Sequence, residues 1–121
     1  VVYVRDMISE RARAGFEKAL EGHPFVCVDD LASDVEQGRA YVWSGETSDV
    51  FTRIDGPVCE MGPAAGDMNE IAAEAVPAIE RWARQNSCTE MFIQAGREGW
   101  ARVLAPQGYE VAAVILRKRL G

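Results

Sequence analysis

The chain has 121 residues, 48% hydrophobic and 26% charged, with a formal net charge of -6. This length supports one domain, residues 1–121, with a core of its own. The acidic balance argues against non-specific nucleic-acid binding, which rests on clustered Lys and Arg, and no apolar run is long enough for a bilayer-spanning helix.

Val1-Val2-Tyr3-Val4 lacks the apolar core of a secretion signal. The cysteines Cys27, Cys59 and Cys88 show no metal-ligand spacing, so no metal site is expected and a reducing, cytoplasmic setting is the simplest one. Residues 8–21 carry Ile8, Ala12, Phe16, Ala19 and Leu20 at helical spacing. Asp6 or Ser9 caps this helix, and Gly22 suits the left-handed position after it. His23-Pro24 breaks the pattern. His23 is the only histidine and has no acidic or Cys neighbour, which makes it a turn residue and not a catalytic one.

Phe25-Val26-Cys27-Val28 reads as a strand or as packing under a loop. Asp29-Asp30 reads as the cap of a second, short helix with Leu31 and Val35 inward and Gly38 at its end, rather than as a metal-binding pair. An antiparallel meander follows: Tyr41-Val42-Trp43-Ser44, residues 50–54 ending in Asp55-Gly56, and Val58-Cys59-Glu60-Met61. Trp43 and Phe51 are core candidates. Glu60 either points to solvent from the sheet face or serves as a catalytic carboxylate.

Gly62-Pro63-Ala64-Ala65-Gly66-Asp67 is expected to end the strand with residues small enough for close approach of a ligand. Asp67 or Asn69 caps the long helix behind it, whose buried stripe is Ile71, Ala75, Ala78, Ile79 and Trp82. Pro77 removes the bond to the Ala73 carbonyl and bends that helix. Met91-Phe92-Ile93 then forms a strand parallel to Val58-Cys59-Glu60-Met61. After Gly96 a short helix turns Trp100, Val103 and Leu104 inward, and Pro106-Gln107-Gly108 stops it. Residues 109–116 are almost wholly apolar, the pattern of a closing strand buried on both faces, and Arg117-Lys118-Arg119 is its solvated end.

This order of elements resembles the GCN5-related N-acetyltransferase (GNAT) family. The segment from Ile79 through Glu80-Arg81-Trp82-Ala83-Arg84-Gln85-Asn86-Ser87 to Cys88 looks like the second half of the family's cofactor helix. Gly108-Tyr109 looks like its glycine–aromatic step into the last strands, and Gly96-Arg97-Glu98-Gly99-Trp100 is similar to small relatives found in phage genomes. The resemblance implies an α/β (α+β) fold: a mixed central sheet with an antiparallel meander, a splayed parallel pair and flanking helices. It implies acetyl-CoA as donor, acyl transfer to an amine that remains unspecified, and Glu60 as the base. Backbone groups of Met61, Gly62, Gly66, Asp67 and Asn69 would hold the cofactor. Cys88 as an acyl carrier is disfavoured, since nothing near it in sequence would lower its pKa.

The chain departs from the family pattern at the working positions. Gly66 stands where the basic residue of the phosphate motif belongs, and Asn69 and Ile71 stand where its glycines do. Leu104 replaces the acid Tyr and Arg97 the Asn. A second reading therefore stands beside the enzyme: a non-catalytic accessory or structural protein on the same fold, of a phage-associated kind, since fold does not imply function. No membrane or nucleic-acid partner is expected under either reading, and a homo-dimer is compatible with both.

Overall fold

Alternation in the central strands decides which helices cover which face of the sheet. The computed structural model describes all residues except 1, 22, 24 and 95–98. Five strands lie in the order β1 (Tyr3–Arg5), β2 (Tyr41–Ser44), β3 (Ser48–Asp55), β4 (Val58–Gly66) and β5 (Glu90–Ile93). The first four are antiparallel neighbours, and β5 pairs parallel to β4 as the crossover predicts. Val42 and Phe51 are cross-strand partners on one face and pack with Ala12, Phe16, Leu31 and Val35. Trp43 and Val50, one residue along each strand, are partners on the other face and join Cys59, Met61, Ile71, Val76 and Ile79.

The first face is covered by α1 (Glu10–Ala19) and α2 (Val28–Glu36). Ser9 caps α1 by accepting from the Ala12 amide at 3.1 Å. Phe16 is fully buried, and Gly15 lets α1 come close to β4, where a Cβ would stand 2.5 Å from that of Ala65. Gly22, the expected helix stop, lies outside the described residues.

Two expectations in this region change. Of the two readings of residues 25–28 the strand fails, since Phe25 is 82% exposed and Val28 already opens α2, while Val26 and Val28 do pack against the first core. Asp29 and Asp30 lie inside the first turn of α2 behind Cys27, where Asp30 accepts from the Cys27 amide at 3.3 Å. An acidic first turn satisfies a helix start as well as a cap does, so the sequence alone does not separate the two. β1 was not anticipated, although Tyr3 and Val4 belong to a β-prone apolar run.

The second face is covered by α3, continuous through Met68–Glu70, a π-turn at Ile71–Ala75 and Val76–Gln85. The π-turn is how the helix accommodates Pro77. The Val76 amide reaches back five residues to the Ile71 carbonyl. In that register the Ala72 carbonyl would accept from residue 77, which has no N–H. The Gln107 side-chain amide takes its place, donating to the Ala72 carbonyl at 2.8 Å.

The strand β5 is followed by α4 (Gly99–Leu104) and a 3-10 turn, Ala105–Gln107. Leu104 is buried in the core cluster and Trp100 packs against it, while Val103 is exposed, contrary to its expected inward placement. The closing strand does not form. Residues 109–116 adopt no strand here, and from residue 110 onward the chain is exposed. Apolar, β-prone composition makes a strand possible, but a strand forms only when the segment lies against a free edge, and residues 109–116 pair with none of the described strands.

Candidate functional site

The cleft begins where β5 stops. β4–β5 pairing ends at Met61 opposite Ile93, followed by a bond from the Gln94 amide to the Met61 carbonyl at 3.5 Å. β4 does not stop there, as the Gly-Pro-Ala-Ala-Gly run had suggested. It continues to Gly66, paired with β3 through Val50–Ala64, Asp49–Ala65 and Ser48–Gly66. The register shifts between Val50 and Thr52, and Pro63 falls in that irregular stretch, where the ladder does not need its missing N–H. Among the described residues, no strand pairs the other edge of residues 62–66.

The smallness of the two glycines in this stretch serves the protein's own packing. A Cβ on Gly62 would lie 2.8 Å from the Phe51 ring. Gly66 has φ +106°, and a Cβ there would lie 1.9 Å from the Thr47 carbonyl oxygen. The approach of Gly66 to Thr47 sets the chain's path into α3.

Asp67, and not Asn69, caps α3. Its carboxylate accepts from the Asn69 amide at 2.7 Å and the Glu70 amide at 3.3 Å. The Asp67 amide itself donates to the Thr47 carbonyl at 3.3 Å. Glu70 accepts from the Thr47 amide at 3.1 Å and from the Ser48 hydroxyl. These hydrogen bonds, led by that from Ser48, hold the Glu70 carboxyl below the usual carboxylate range. The turn between β2 and β3 is therefore clamped beneath the start of α3.

From the opposite side Arg11 of α1 clamps the same turn. Its guanidinium donates to the carbonyls of Gly45 at 2.7 Å, Glu46 at 2.6 Å and Ser48 at 3.1 Å, and to the buried Asp49 carboxylate at 2.9 Å. The Ser44 hydroxyl donates to the same carboxylate at 2.6 Å. No local pattern in the sequence announces this network, since Arg11 and Asp49 are 38 residues apart.

Glu60 lies one residue before the last β4–β5 pair. Cys59 and Met61 are buried beneath α3, so alternation turns Glu60 to the face that carries α1 and α2. It is half-buried, with Arg53 as its partner on β3 and Phe92 on β5. Arg53 gives its guanidinium to Asp34 at 3.2 Å. Among the described residues Glu60 has no hydrogen bond or ion pair.

Two further groups are removed from chemistry by their surroundings. Burial, together with the charges of Cys88 and Glu60, pushes the Cys59 thiol up to about 12, which makes it a poor nucleophile. The Tyr109 hydroxyl is buried without a hydrogen-bond partner, and burial and the charge of Glu80 raise its pKa. Leu104 is a core residue. Gly96 and Arg97 lie outside the described residues. His23 is a turn residue, as expected: its Nδ1 accepts from the amides of Phe25 and Val26, each at 3.2 Å.

Among the described residues no cluster of His, Cys, Asp or Glu is arranged to hold a metal ion, and no helix is long and apolar enough to cross a membrane. A groove of about 480 Å³ at the far end of the sheet is lined by Arg39, Tyr41, Arg53 and Trp82, but Asp34 already engages both arginines. Among the described residues the strand-edge cleft at 62–66 leaves backbone groups of β4 unpaired beside a capped helix start.

A mixed sheet whose one parallel pair separates after Met61, with a capped helix start behind the gap, defines the GNAT-type acetyltransferase fold. The aminoglycoside N-acetyltransferase AAC(6')-Iy, solved with a CoA bisubstrate analogue, superposes with TM-score 0.70 over 98% of this chain and 97% of its own, at 16% identity. A ribosomal-protein-alanine N-acetyltransferase from Brucella melitensis gives 0.65 over 99% of each chain at 11% identity. The aminoglycoside 6'-N-acetyltransferase AAC(6')-IG from Acinetobacter haemolyticus gives 0.59, covering 100% of this chain and 99% of its own, at 13% identity. Neither a family model nor a curated protein sequence matches the chain.

Proposed function

We propose that the protein is an acyl-CoA-dependent N-acetyltransferase acting on an amine. The observation that carries this reading is β4 itself, which runs past the end of β5 to Gly66, pairs there with no second strand among the described residues, and carries Glu60 just before the gap. The solved acetyltransferases of the same fold, among them AAC(6')-Iy described with CoA and with a CoA bisubstrate analogue, support the choice of donor.

The two halves of the cleft fit such a donor unequally. Among the described residues the unpaired edge of residues 62–66 suits the amide-bearing pantetheine arm, with Ala64 turned to that edge, Ala65 turned to β3, and Pro63 offering no N–H. The helix start is less open, because Asp67 already holds the Asn69 and Glu70 amides and adds a negative charge. A bound acyl-CoA would supply a thioester as the electrophile. Glu60 would take the proton of the attacking amine, directly or through one water. A strand N–H beside the gap would polarise the acyl carbonyl.

A thermal melt with and without acetyl-CoA tests donor binding, since a ligand selective for the native state raises the midpoint. Thiol release across an amine panel then tests turnover, and Glu60→Gln is expected to lower it by about 10²–10³-fold. No midpoint shift at millimolar acetyl-CoA would sink the enzyme reading. The second reading, a non-catalytic accessory protein on this fold, is favoured by the burial of Leu104 and by the self-capped helix start. It predicts no release with any amine.

A further inference from the structure

The groove at the far end of the sheet is a second concave site, and acyl transfer does not use it. It opens beside the turn between β3 and β4, whereas the strand-edge cleft opens after Met61. From Val58 to Gly62 the strand advances about 13 Å, so the two sites are separate. A volume of about 480 Å³ is in the range that takes a small organic ligand.

One wall of the groove is aromatic and held in place. The Trp82 ring of α3 meets the rings of Tyr41 and Trp43 edge-on, with centroids 5.5 Å away in each case. The Trp43 indole donates to the Thr52 hydroxyl at 3.1 Å, and that hydroxyl donates to the Tyr41 carbonyl at 3.2 Å. Tyr41 and Trp82 are half-buried and line the groove, so they offer it flat apolar surface that needs no rearrangement.

The polar part of the lining carries two guanidiniums, and they are engaged unequally. Asp34 accepts from Arg39 Nη2 at 2.9 Å and from Arg53 Nη1 at 3.2 Å, and Gln37 takes Arg39 Nη1. Arg39 Nε also donates to Asp34 at 3.2 Å, so each of its nitrogens is in use. Among the described residues Arg53 Nε and Nη2 have no partner, and its cross-strand neighbour Glu60 makes no ion pair with it. That edge of a guanidinium matches a carboxylate through two parallel N–H···O bonds. Asp55 also lines the groove, and its charge disfavours a dianion such as a phosphate monoester.

We propose that this groove binds a planar aromatic monocarboxylate, with its ring against Tyr41 and Trp82 and its carboxylate on the Nε–Nη2 edge of Arg53. The flat wall selects the ring, and the one free guanidinium edge beside Asp55 selects a single carboxylate. Asp34 is a positioning residue: it fixes the Arg53 guanidinium by Nη1 and leaves the rest to the ligand.

Binding of cinnamate, with cinnamamide as its neutral counterpart, tests this inference independently of any enzymatic reading. In a nitrogen-15 NMR titration, shifts are expected at the Arg53 amide and at the Trp82 indole N–H, and none at residues 62–66. Arg53→Gln is expected to weaken cinnamate about tenfold and to leave cinnamamide unchanged. A comparison on the wild type does not depend on that variant folding: cinnamate is expected to bind about tenfold tighter than cinnamamide, and acetyl-CoA is expected to displace neither. No shifts at millimolar cinnamate, equal affinity for acid and amide, or an affinity untouched by Arg53→Gln would each overturn the proposal. So would shifts at residues 62–66 or displacement by acetyl-CoA, because the probe would then be occupying the strand-edge cleft.

Discussion

The cap of α3 offers the sharpest test of how the cleft works, because stability and ligand binding pull Asp67 in opposite directions. Its carboxylate accepts from the Asn69 amide at 2.7 Å and the Glu70 amide at 3.3 Å. Loss of an N-cap costs about 1 kcal/mol, and loss of a negative charge at a helix start costs about 0.3–1 kcal/mol more. Asp67→Ala is thus expected to destabilise by about 1–2 kcal/mol, and for a chain of this size to lower Tm by about 3–8 °C. Asp67→Asn keeps the acceptor oxygen and removes only the charge, so its stability cost is below about 1 kcal/mol. The same substitution removes a like charge from the place where a diphosphate would lie. At a separation near 4 Å in a water-like medium that repulsion is about 1 kcal/mol, or about fivefold in affinity. Calorimetric titration of the wild type and Asp67→Asn with CoA and with pantetheine separates the effects. CoA affinity is expected to rise about fivefold while pantetheine affinity stays the same. Equal changes for both ligands, or none for CoA, would refute the placement of the diphosphate at this helix start.

Three further outcomes follow from the scaffold. Arg11→Met strands the buried Asp49 carboxylate with only the Ser44 hydroxyl. Since Arg11 is half exposed, the expected loss is about 2 kcal/mol, below the full penalty for a broken buried pair. A shift in the urea midpoint worth less than about 0.5 kcal/mol would contradict this clamp. Gln107→Leu is expected to cost about 0.5–1.5 kcal/mol by orphaning the Ala72 carbonyl, and much less in a Pro77→Ala background where a backbone N–H is restored. A double-mutant cycle showing no coupling would refute that account of the π-turn. The Glu70 carboxyl is held below its ordinary value of 4.5, so its contribution is complete above that pH and is lost as pH falls through the lowered value. Acid titration of Glu70→Gln should therefore show a weaker loss of stability below pH 4.5 than the wild type, and parallel curves would argue against the Thr47–Ser48 clamp.

Much of the frame was legible because its signals are local. The period of Ala12 and Phe16 places α1, and Trp43 and Phe51 read as core residues, which the structure sets on opposite faces of the sheet. The turn at Asp55-Gly56 makes β3 and β4 neighbours, and the crossover makes β5 parallel. Glu60 was legible as a strand carboxylate, but not as one whose neighbour Arg53 is drawn away by Asp34. The Arg11–Asp49 clamp was illegible because it joins residues that only packing brings together.

By itself the sequence determined the order of the elements from α1 to α4, the apolar stripes of α1 and α3 and the disturbance of α3 at Pro77. Each of these depends on residue identity and on contacts within a few positions. Tertiary structure decided how far β4 runs, which acid caps α3 and where residues 110–121 go. Pro63 and Gly66 read as the end of a strand until β3 is seen to pair across them, and residues 109–116 read as a buried strand until no partner lies beside them. A strand is completed by hydrogen bonds to a neighbour, and the sequence of one strand does not say whether that neighbour is present.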